Sequence, residues 1–216
     1  MDGRGLWREG PDPTRRFSPG PALFLDRDGV LIIDSGYLHD PAGVVLIPGI
    51  AAIVAACNRA GVPVVVVTNQ SGIGREYYGW SDFVAVQARL AALLAAAESG
   101  ARLDMVLACA YHPDAEGDFA IADHPWRKPN PGMLHAAAEA LPIDLARSWM
   151  IGDRATDLAA ARAAGLAGGL HLSGRTDPVG EERRQTLDLA SEDFAVIAAR
   201  SLTEAGDIVE QLTNAG

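Results

Sequence analysis

The segment Val-Pro-Val-Val-Val-Val at positions 62–67 constrains this chain more than any other stretch of it. Consecutive β-branched residues favour a strand over a helix. No polar residue alternates among them, so the strand must be covered on both faces, as inside a parallel sheet. Residues 22–25, Ala-Leu-Phe-Leu, form a second run of this kind. Residues 103–108, 149–151, 169–172 and 194–198 are further strand candidates. Helical stretches stand between them. One runs over 50–60 with Gly61 as its C-terminal stop, and one over 81–98 with Ser81 as N-cap. Another runs over 130–141 behind Asn130 and Pro131, and another over 155–164, stopped by Gly165. Ser201 and Glu204 have the spacing of a capping box for a last helix. Strands alternating with helices at short spacing predict an α/β fold: a three-layer, doubly wound parallel sheet with right-handed crossovers. Its functional residues belong at the carboxyl ends of the strands.

The length of 216 residues suits one domain, over residues 21–216, behind an irregular arm over residues 1–20. Trp7 and Phe17 are the residues expected to pin that arm to the body. Residues 173–193 read as a polar excursion. With 49% hydrophobic and 21% charged residues, the composition excludes a disordered chain. The formal net charge of −10 argues against a broad nucleic-acid or anionic-membrane footprint. Two cysteines, Cys57 and Cys109, build no disulfide framework and suit a reducing compartment, so a cytoplasmic location is expected. The N-terminal arginines are followed by no apolar run, which argues against a signal peptide. The apolar stretches at 62–67 and 90–97 are short for a membrane span. A monomer is expected, with neither nucleic acid nor membrane as partner.

The chemistry-bearing residues directly follow the expected strands. Asp26-Arg27-Asp28-Gly29 follows the first, Thr68-Asn69-Gln70-Ser71-Gly72 the second, and Gly152-Asp153 the fourth, with Asp157 a helical turn later. The loop after the third strand carries Arg127-Lys128-Pro129. On one rim these make a pocket with four carboxylates and a lysine. In extended chain Asp26 and Asp28 would share a side, with Arg27 pointing away. Clustered carboxylates call for a cation, and hard oxygen ligands favour Mg²⁺. Phosphoryl transfer uses such a set: one aspartate attacks phosphorus and the other handles the proton. Thr68 can hold phosphoryl oxygens, and Lys128 balances the charge that develops.

These residues resemble the four motifs of the haloacid dehalogenase-like phosphatases. Phe24-Leu-Asp-Arg-Asp-Gly-Val30 is similar to motif one, Val67-Thr-Asn-Gln-Ser-Gly-Ile73 to motif two, Lys128 to motif three, and Gly152-Asp153 with Asp157 to motif four. Asp34-Ser-Gly-Tyr-Leu-His39 and Arg127-Lys-Pro-Asn-Pro-Gly-Met133 also resemble the branch of heptose bisphosphate and histidinol phosphate phosphatases. The resemblance implies a Rossmann-like domain with a minimal cap or none, and Mg²⁺-dependent hydrolysis of a small phosphorylated metabolite. It implies Asp26 as nucleophile and metal ligand, and Asp28 as acid/base with its main-chain carbonyl on the metal. Asp153 would be the third ligand, supported by Asp157. Thr68, Asn69 and Lys128 would bind the transferring phosphoryl group, and Gln70 and Arg127 the rest of the substrate. Arg127 favours a substrate with a second anionic group, a heptose bisphosphate first, then histidinol phosphate or another sugar or polyol phosphate.

Three departures from the branch are visible. Where the branch often carries four zinc ligands, this chain has Cys109, Tyr111, His124 and Trp126. With His112, Cys109 and His124 offer at most three donors in the wrong register, so zinc is not expected and an aromatic-packed loop is. Val30 stands where threonine is usual, and Arg154 where lysine is frequent. Two other classes compete: a phosphoacceptor switch and a non-catalytic binding protein. A switch carries its acidic pair ahead of the phosphorylated aspartate along the chain, unlike the Asp-x-Asp here, and four intact motifs argue against a binding protein.

Overall fold

A computed structural model describes residues 5–173 and 180–213. Residues 1–4 of the expected arm and 174–179 of the expected excursion lie outside the described residues. The strands are β1 (Leu6–Glu9), β2 (Leu23–Leu25), β3 (Val64–Asn69), β4 (Met105–Cys109), β5 (Trp149–Gly152), β6 (Gly168–Leu172) and β7 (Ala195–Ala199). They form one sheet in the order β1-β4-β3-β2-β5-β6-β7. Every pairing is parallel except that of β1 with β4. The helices are α1 (Ile50–Arg59), α2 (Ser71–Gly74), α3 (Trp80–Ala97), α4 (Gly132–Ala140), α5 (Ala155–Ala163), α6 (Glu181–Leu187) and α7 (Gly206–Thr213).

The valine run does what its composition demands. Val64 and Val66 face a core shared with α1, α3 and α7, whereas Val65 and Val67 face a second core with α4 and α5. Alternate residues therefore bury on opposite faces, and the three-layer doubly wound arrangement follows. β3 begins two residues later than its composition suggests. Val62 is used to close α1 through its N–H on the Cys57 carbonyl, beside Gly61 at φ 76°, while the Pro63 carbonyl accepts from Leu23. From β2 the chain builds outward through β3 and β4, then returns to the other side of β2 for β5 to β7. That reversal opens a crevice at the strand carboxyl ends. Between β2 and α1 stands a loop whose only helical element is a 3₁₀ turn at Pro41–Gly43, so no cap domain is inserted there.

Several local expectations are corrected. The arm is not wholly irregular: β1 adds an antiparallel edge strand to β4. Four residues carry too little periodicity to announce a strand, and the open edge of β4 supplies the pairing. Trp7 does pin it, stacked on Trp80 at 5.7 Å and edge-on to Phe83 at 6.1 Å, and Phe17 packs on the opposite core. α3 starts at Trp80 because the Asp82 carboxylate accepts the Gly79 N–H at 2.9 Å; Ser81 is not the cap. Asn130 does not cap α4 but spends its amide on Asp123 and the His124 carbonyl. The capping box at Ser201 does not form: Glu204 accepts the Arg200 N–H rather than that of Ser201, and the Ser201 hydroxyl pairs with Thr203. The 173–193 segment contains α6. Helix α3 is long and apolar enough, by length and composition, to cross a membrane, which the short apolar stretches of the sequence do not suggest. Here Phe83, Val86, Leu90 and Leu94 pack it on the sheet as a core helix.

The Trp7 anchor is testable. Trp7→Ala is expected to lower unfolding stability by about 2 kcal/mol, from lost aromatic packing at a half-buried site. Urea denaturation checks this, and an unchanged midpoint would show the edge strand to be held by backbone pairing alone.

Candidate active site

A cavity of about 530 Å³ lies at the carboxyl ends of β2, β3 and β5. The parallel register places Asp26, Asn69 and Asp153 at its floor, each at or just beyond the end of its strand. Lys128 enters from the loop after β4. It is buried, and its ammonium donates to Asp26 Oδ1, Asp157 Oδ1 and the Val67 carbonyl, each at 2.7 Å. Asn69 fixes that lysine from both sides. Its Oδ1 accepts the Lys128 N–H at 3.1 Å and its Nδ2 donates to the Lys128 carbonyl at 3.0 Å. The amide is thus committed to the lysine's backbone.

The carboxylates are crowded. Oxygens of Asp26, Asp153 and Asp157 lie within 4.8 Å of one another, the one such group of three potential metal ligands among the described residues. All three residues are buried. Asp157 is engaged at both oxygens, by Lys128 and by the Arg154 N–H at 3.0 Å, which starts α5. Burial raises the Asp26 pKa to about 7; the Lys128 charge works against this shift, and the Asp157 and Asp28 charges reinforce it. Burial alone would discharge Lys128, but Asp157 and Asp26 outweigh it and hold the ammonium above its ordinary value. Three carboxylates face the Lys128 ammonium and, 3.7 Å from Asp153, the Arg154 guanidinium; the negative charge left over is one that a divalent cation would balance, so the donor set fits Mg²⁺.

Two glycines are required by this approach. Gly29 has φ 81°, and a side chain there would run into the Asp153 carboxylate. A side chain on Gly152 would meet Asp157 in the same way.

Asp28 stands outside the carboxylate cluster. Its carboxylate accepts from Arg27 Nε and Nη2 at 3.1 and 3.0 Å and from Gln70 Nε2 at 3.0 Å. Arg27 therefore does not point away. It is buried, lies over the Phe83 ring at 5.1 Å and turns its guanidinium to Asp28. Strand alternation fails because β2 ends at Leu25 and the chain turns, with Leu31 and Ile32 N–H groups on the Arg27 carbonyl. Gln70 is a hub. Its Nε2 also donates to Thr68 Oγ1 at 2.9 Å, and its Oε1 accepts from Arg27 Nη2 at 3.0 Å and Tyr78 OH at 2.7 Å. Thr68 is buried beneath it and is not among the cavity-lining residues. Arg127 reaches the cavity half-buried, with Nη1 on the Tyr111 carbonyl at 2.9 Å.

Sequence reasoning missed Tyr37, Tyr78 and Glu182 in the cavity wall. Glu182 comes from α6 and accepts the Ala155 N–H at 2.7 Å, at the start of α5. No local signal links it to a motif some thirty residues away. In the loop after β4, Tyr111 stacks on His124 at 4.3 Å and Trp126 packs on the core, which is the aromatic-packed loop expected. Cys109 is buried at the end of β4, and His112 lies against Arg75 and Asp114.

Comparison with known proteins agrees with this geometry. A family model, HAD-hyrolase-like, matches residues 125–204. D-glycero-beta-D-manno-heptose-1,7-bisphosphate 7-phosphatase of Mesorhizobium japonicum is 47% identical over 213 residues, covering 98% of this chain and 91% of that protein. The chain belongs to the haloacid dehalogenase-like phosphatases. A second member, D-glycero-D-manno-heptose-1,7-bisphosphate 7-phosphatase of Thermosynechococcus vestitus, is 45% identical over 82% of this chain and 93% of its own. Among solved structures, a HAD-like protein of Mesorhizobium loti superposes with a TM-score of 0.86 at 45% identity, covering 100% of this chain and 97% of that one. D,D-heptose 1,7-bisphosphate phosphatase of B. bronchiseptica, complexed with magnesium and phosphate, gives 0.71 at 29% identity over 91% and 99%. As a HAD-like phosphatase this chain is a phosphoric monoester hydrolase, and its fold class is the one read from the strand pattern.

The raised Asp26 value gives a pH signature. A carboxyl raised from 3.8 to about 7 on folding contributes stability below 3.8 and loses it as pH climbs through about 7. Metal-free protein is therefore expected to lose melting temperature over that window. Mg²⁺ should restore it, and restore more at the alkaline end, because binding displaces the proton. Thermal melts with Mg²⁺ and with chelator read this directly; a pH-independent Mg²⁺ effect contradicts it.

Proposed function

We propose that this chain removes the 7-phosphate of D-glycero-D-manno-heptose 1,7-bisphosphate through an aspartyl-phosphate formed on Asp26, with Mg²⁺ as cofactor. The crowding of Asp26, Asp153 and Asp157 about the Lys128 ammonium carries the phosphatase reading. The substrate reading is supported by 47% identity, over nearly the whole chain, to a relative named for that reaction. A cavity of about 530 Å³ is also a suitable size for a sugar bisphosphate.

Asp26, Asp153 and the main-chain carbonyl of Asp28 would hold the ion, whose chemistry is to neutralise the phosphate so that an anionic carboxylate can approach. The Asp26 carboxylate attacks phosphorus, and the bond from phosphorus to the sugar oxygen breaks. Asp28 gives its proton to that leaving oxygen. Asp28 then takes a proton from water as the water oxygen attacks the same phosphorus. The bond to Asp26 breaks, and inorganic phosphate leaves with the nucleophile restored. Lys128 stabilises the charge spread over the phosphoryl oxygens, and Asp157 keeps that lysine charged and aimed. Asn69 acts as a positioning residue for Lys128. Gln70 and Arg27 orient the Asp28 carboxylate toward the leaving oxygen. Arg127 binds the sugar end. Asp153 comes into place because Gly29 has no side chain to meet it, as Gly152 has none to meet Asp157. In this reading the enzyme is a cytoplasmic monomer without structural zinc, its Tyr111–His124 stack standing where a metal would otherwise tie the loop.

Asp26→Asn is expected to reduce Mg²⁺-dependent phosphate release by about three orders of magnitude or more, as loss of a nucleophile does. Comparable activity in that variant defeats the assignment. On a substrate panel, heptose 1,7-bisphosphate should lead in kcat/KM; better turnover of histidinol phosphate or of simple monophosphates overturns the substrate. Metal analysis of purified protein should find no stoichiometric zinc.

A further inference from the structure

The Gln70 amide uses each of its hydrogen-bonding positions once. Nε2 gives its two hydrogens to Asp28 Oδ2 at 3.0 Å and to Thr68 Oγ1 at 2.9 Å. Oε1 accepts from Arg27 Nη2 at 3.0 Å and from the Tyr78 hydroxyl at 2.7 Å. A guanidinium can only donate, so the atom that meets Arg27 must be the amide oxygen, and the nitrogen then faces Asp28. The bond from Tyr78 is the shortest of these contacts. Gln70 is 2% exposed, which leaves little room for water to replace a lost partner.

The amide matters for what it does to Asp28. Oδ2 of that carboxylate accepts from Gln70 Nε2 at 3.0 Å, Arg27 Nε at 3.1 Å and Arg27 Nη2 at 3.0 Å. Among the described residues, Oδ1 has only the longer contact from Arg27 Nη2 at 3.2 Å. With Oδ2 occupied, Oδ1 is the oxygen left to carry a proton. A tilt of the amide would loosen Oδ2 and let the carboxyl group rotate.

Tyr78 is itself held in place. It stands half-buried in the turn between α2 and α3, with the His39 ring stacked on it at 5.9 Å. A side chain on Gly72 would run into the Tyr78 ring, so that glycine makes room for it. Burial pushes the Tyr78 hydroxyl up to about 12, against the pull of the Arg27 charge, and it therefore keeps its proton at neutral pH.

We propose that Tyr78 is a positioning residue for the acid step: its hydroxyl fixes the Gln70 amide, which holds the Asp28 carboxyl group where it can protonate the leaving oxygen. This deepens the reading given under Proposed function and rests on its assignment of Asp28. The proton moves from Asp28 to the sugar oxygen as the bond to phosphorus breaks, and Tyr78 keeps its own.

Tyr78→Phe tests this, since it removes one oxygen and keeps the ring. The quantity to read is kcat/KM, which covers events up to cleavage of the ester bond. On a sugar phosphate, whose leaving oxygen needs a proton, Tyr78→Phe should lower kcat/KM by about tenfold. On p-nitrophenyl phosphate, whose leaving oxygen needs none, kcat/KM should stay within about twofold of wild type. A merely loosened loop would slow both esters alike, so equal losses, or none on either, overturn the proposal. Asp28→Asn supplies the reference. It should lower kcat/KM on the sugar phosphate by about a hundredfold or more, with a smaller loss on p-nitrophenyl phosphate. Tyr78→Phe added to Asp28→Asn should cost nothing further on the sugar phosphate, because its effect passes through Asp28. A further loss there overturns the role of Tyr78. Asp28→Asn that spares the sugar phosphate overturns the acid assignment, and the Tyr78 role falls with it. The sugar phosphate is heptose 1,7-bisphosphate or, should that substrate fail, any sugar phosphate that wild type hydrolyses, so the substrate reading and the Tyr78 role are judged apart.

Discussion

Charge balance at the end of the central strands governs this structure. Asp26, Asp153 and Asp157 bring their oxygens within 4.8 Å of one another in a buried place, and one ammonium, that of Lys128, lies among them. Buried charges are tolerated only when paired and hydrogen-bonded. The lysine meets that condition with two carboxylates and a carbonyl. Asp157 meets it too, at both oxygens, but Asp26 shares that same ammonium, and burial lifts it to about 7. The donor set therefore suits a divalent cation.

Much of the surrounding structure serves to hold that arrangement in register. Asn69 grips the backbone of Lys128, so the lysine's loop moves with β3. Gly29 and Gly152 remove side chains where two carboxylates must pass close to backbone. Gln70 and Arg27 hold the Asp28 carboxylate by hydrogen bonds, while Asp26, Asp153 and Asp157 crowd together. Two carboxyl groups separated by a single residue thus differ in environment, and in this kind of chemistry different environments are what give two acids different roles.

The cavity wall is drawn from parts of the chain with no catalytic motif. Tyr37 and Tyr78 come from the loop after β2 and the turn after α2, and Glu182 from α6. The loop after β4 is closed by the stack of Tyr111 on His124. The cavity thus has a strand-end floor and walls drawn from loops and from α6.

The order and type of the central elements were legible in the sequence because a doubly covered strand needs an unbroken apolar run. The run at 62–67 and that at 22–25 met this condition, and the motif residues after them had one rim on which to gather. Asp26, Lys128, Asp153 and Asp157 could be grouped in advance for that reason. Asp28, Gln70 and Asn69 were legible as residues of the cavity, but their hydrogen-bond partners were not, since these depend on where loops turn. The direction of Arg27 was not legible, because strand alternation does not continue past the end of β2. The edge strand Leu6–Glu9, too short to carry a period, exists because β4 offers an open edge. Glu182 reached the cavity through a packing contact between distant segments. Sequence by itself determined what is local and periodic: strand burial, helix stops, and the residue types carried at each strand end. Tertiary structure decided partners and exposure, because these depend on which distant segments come to share one volume.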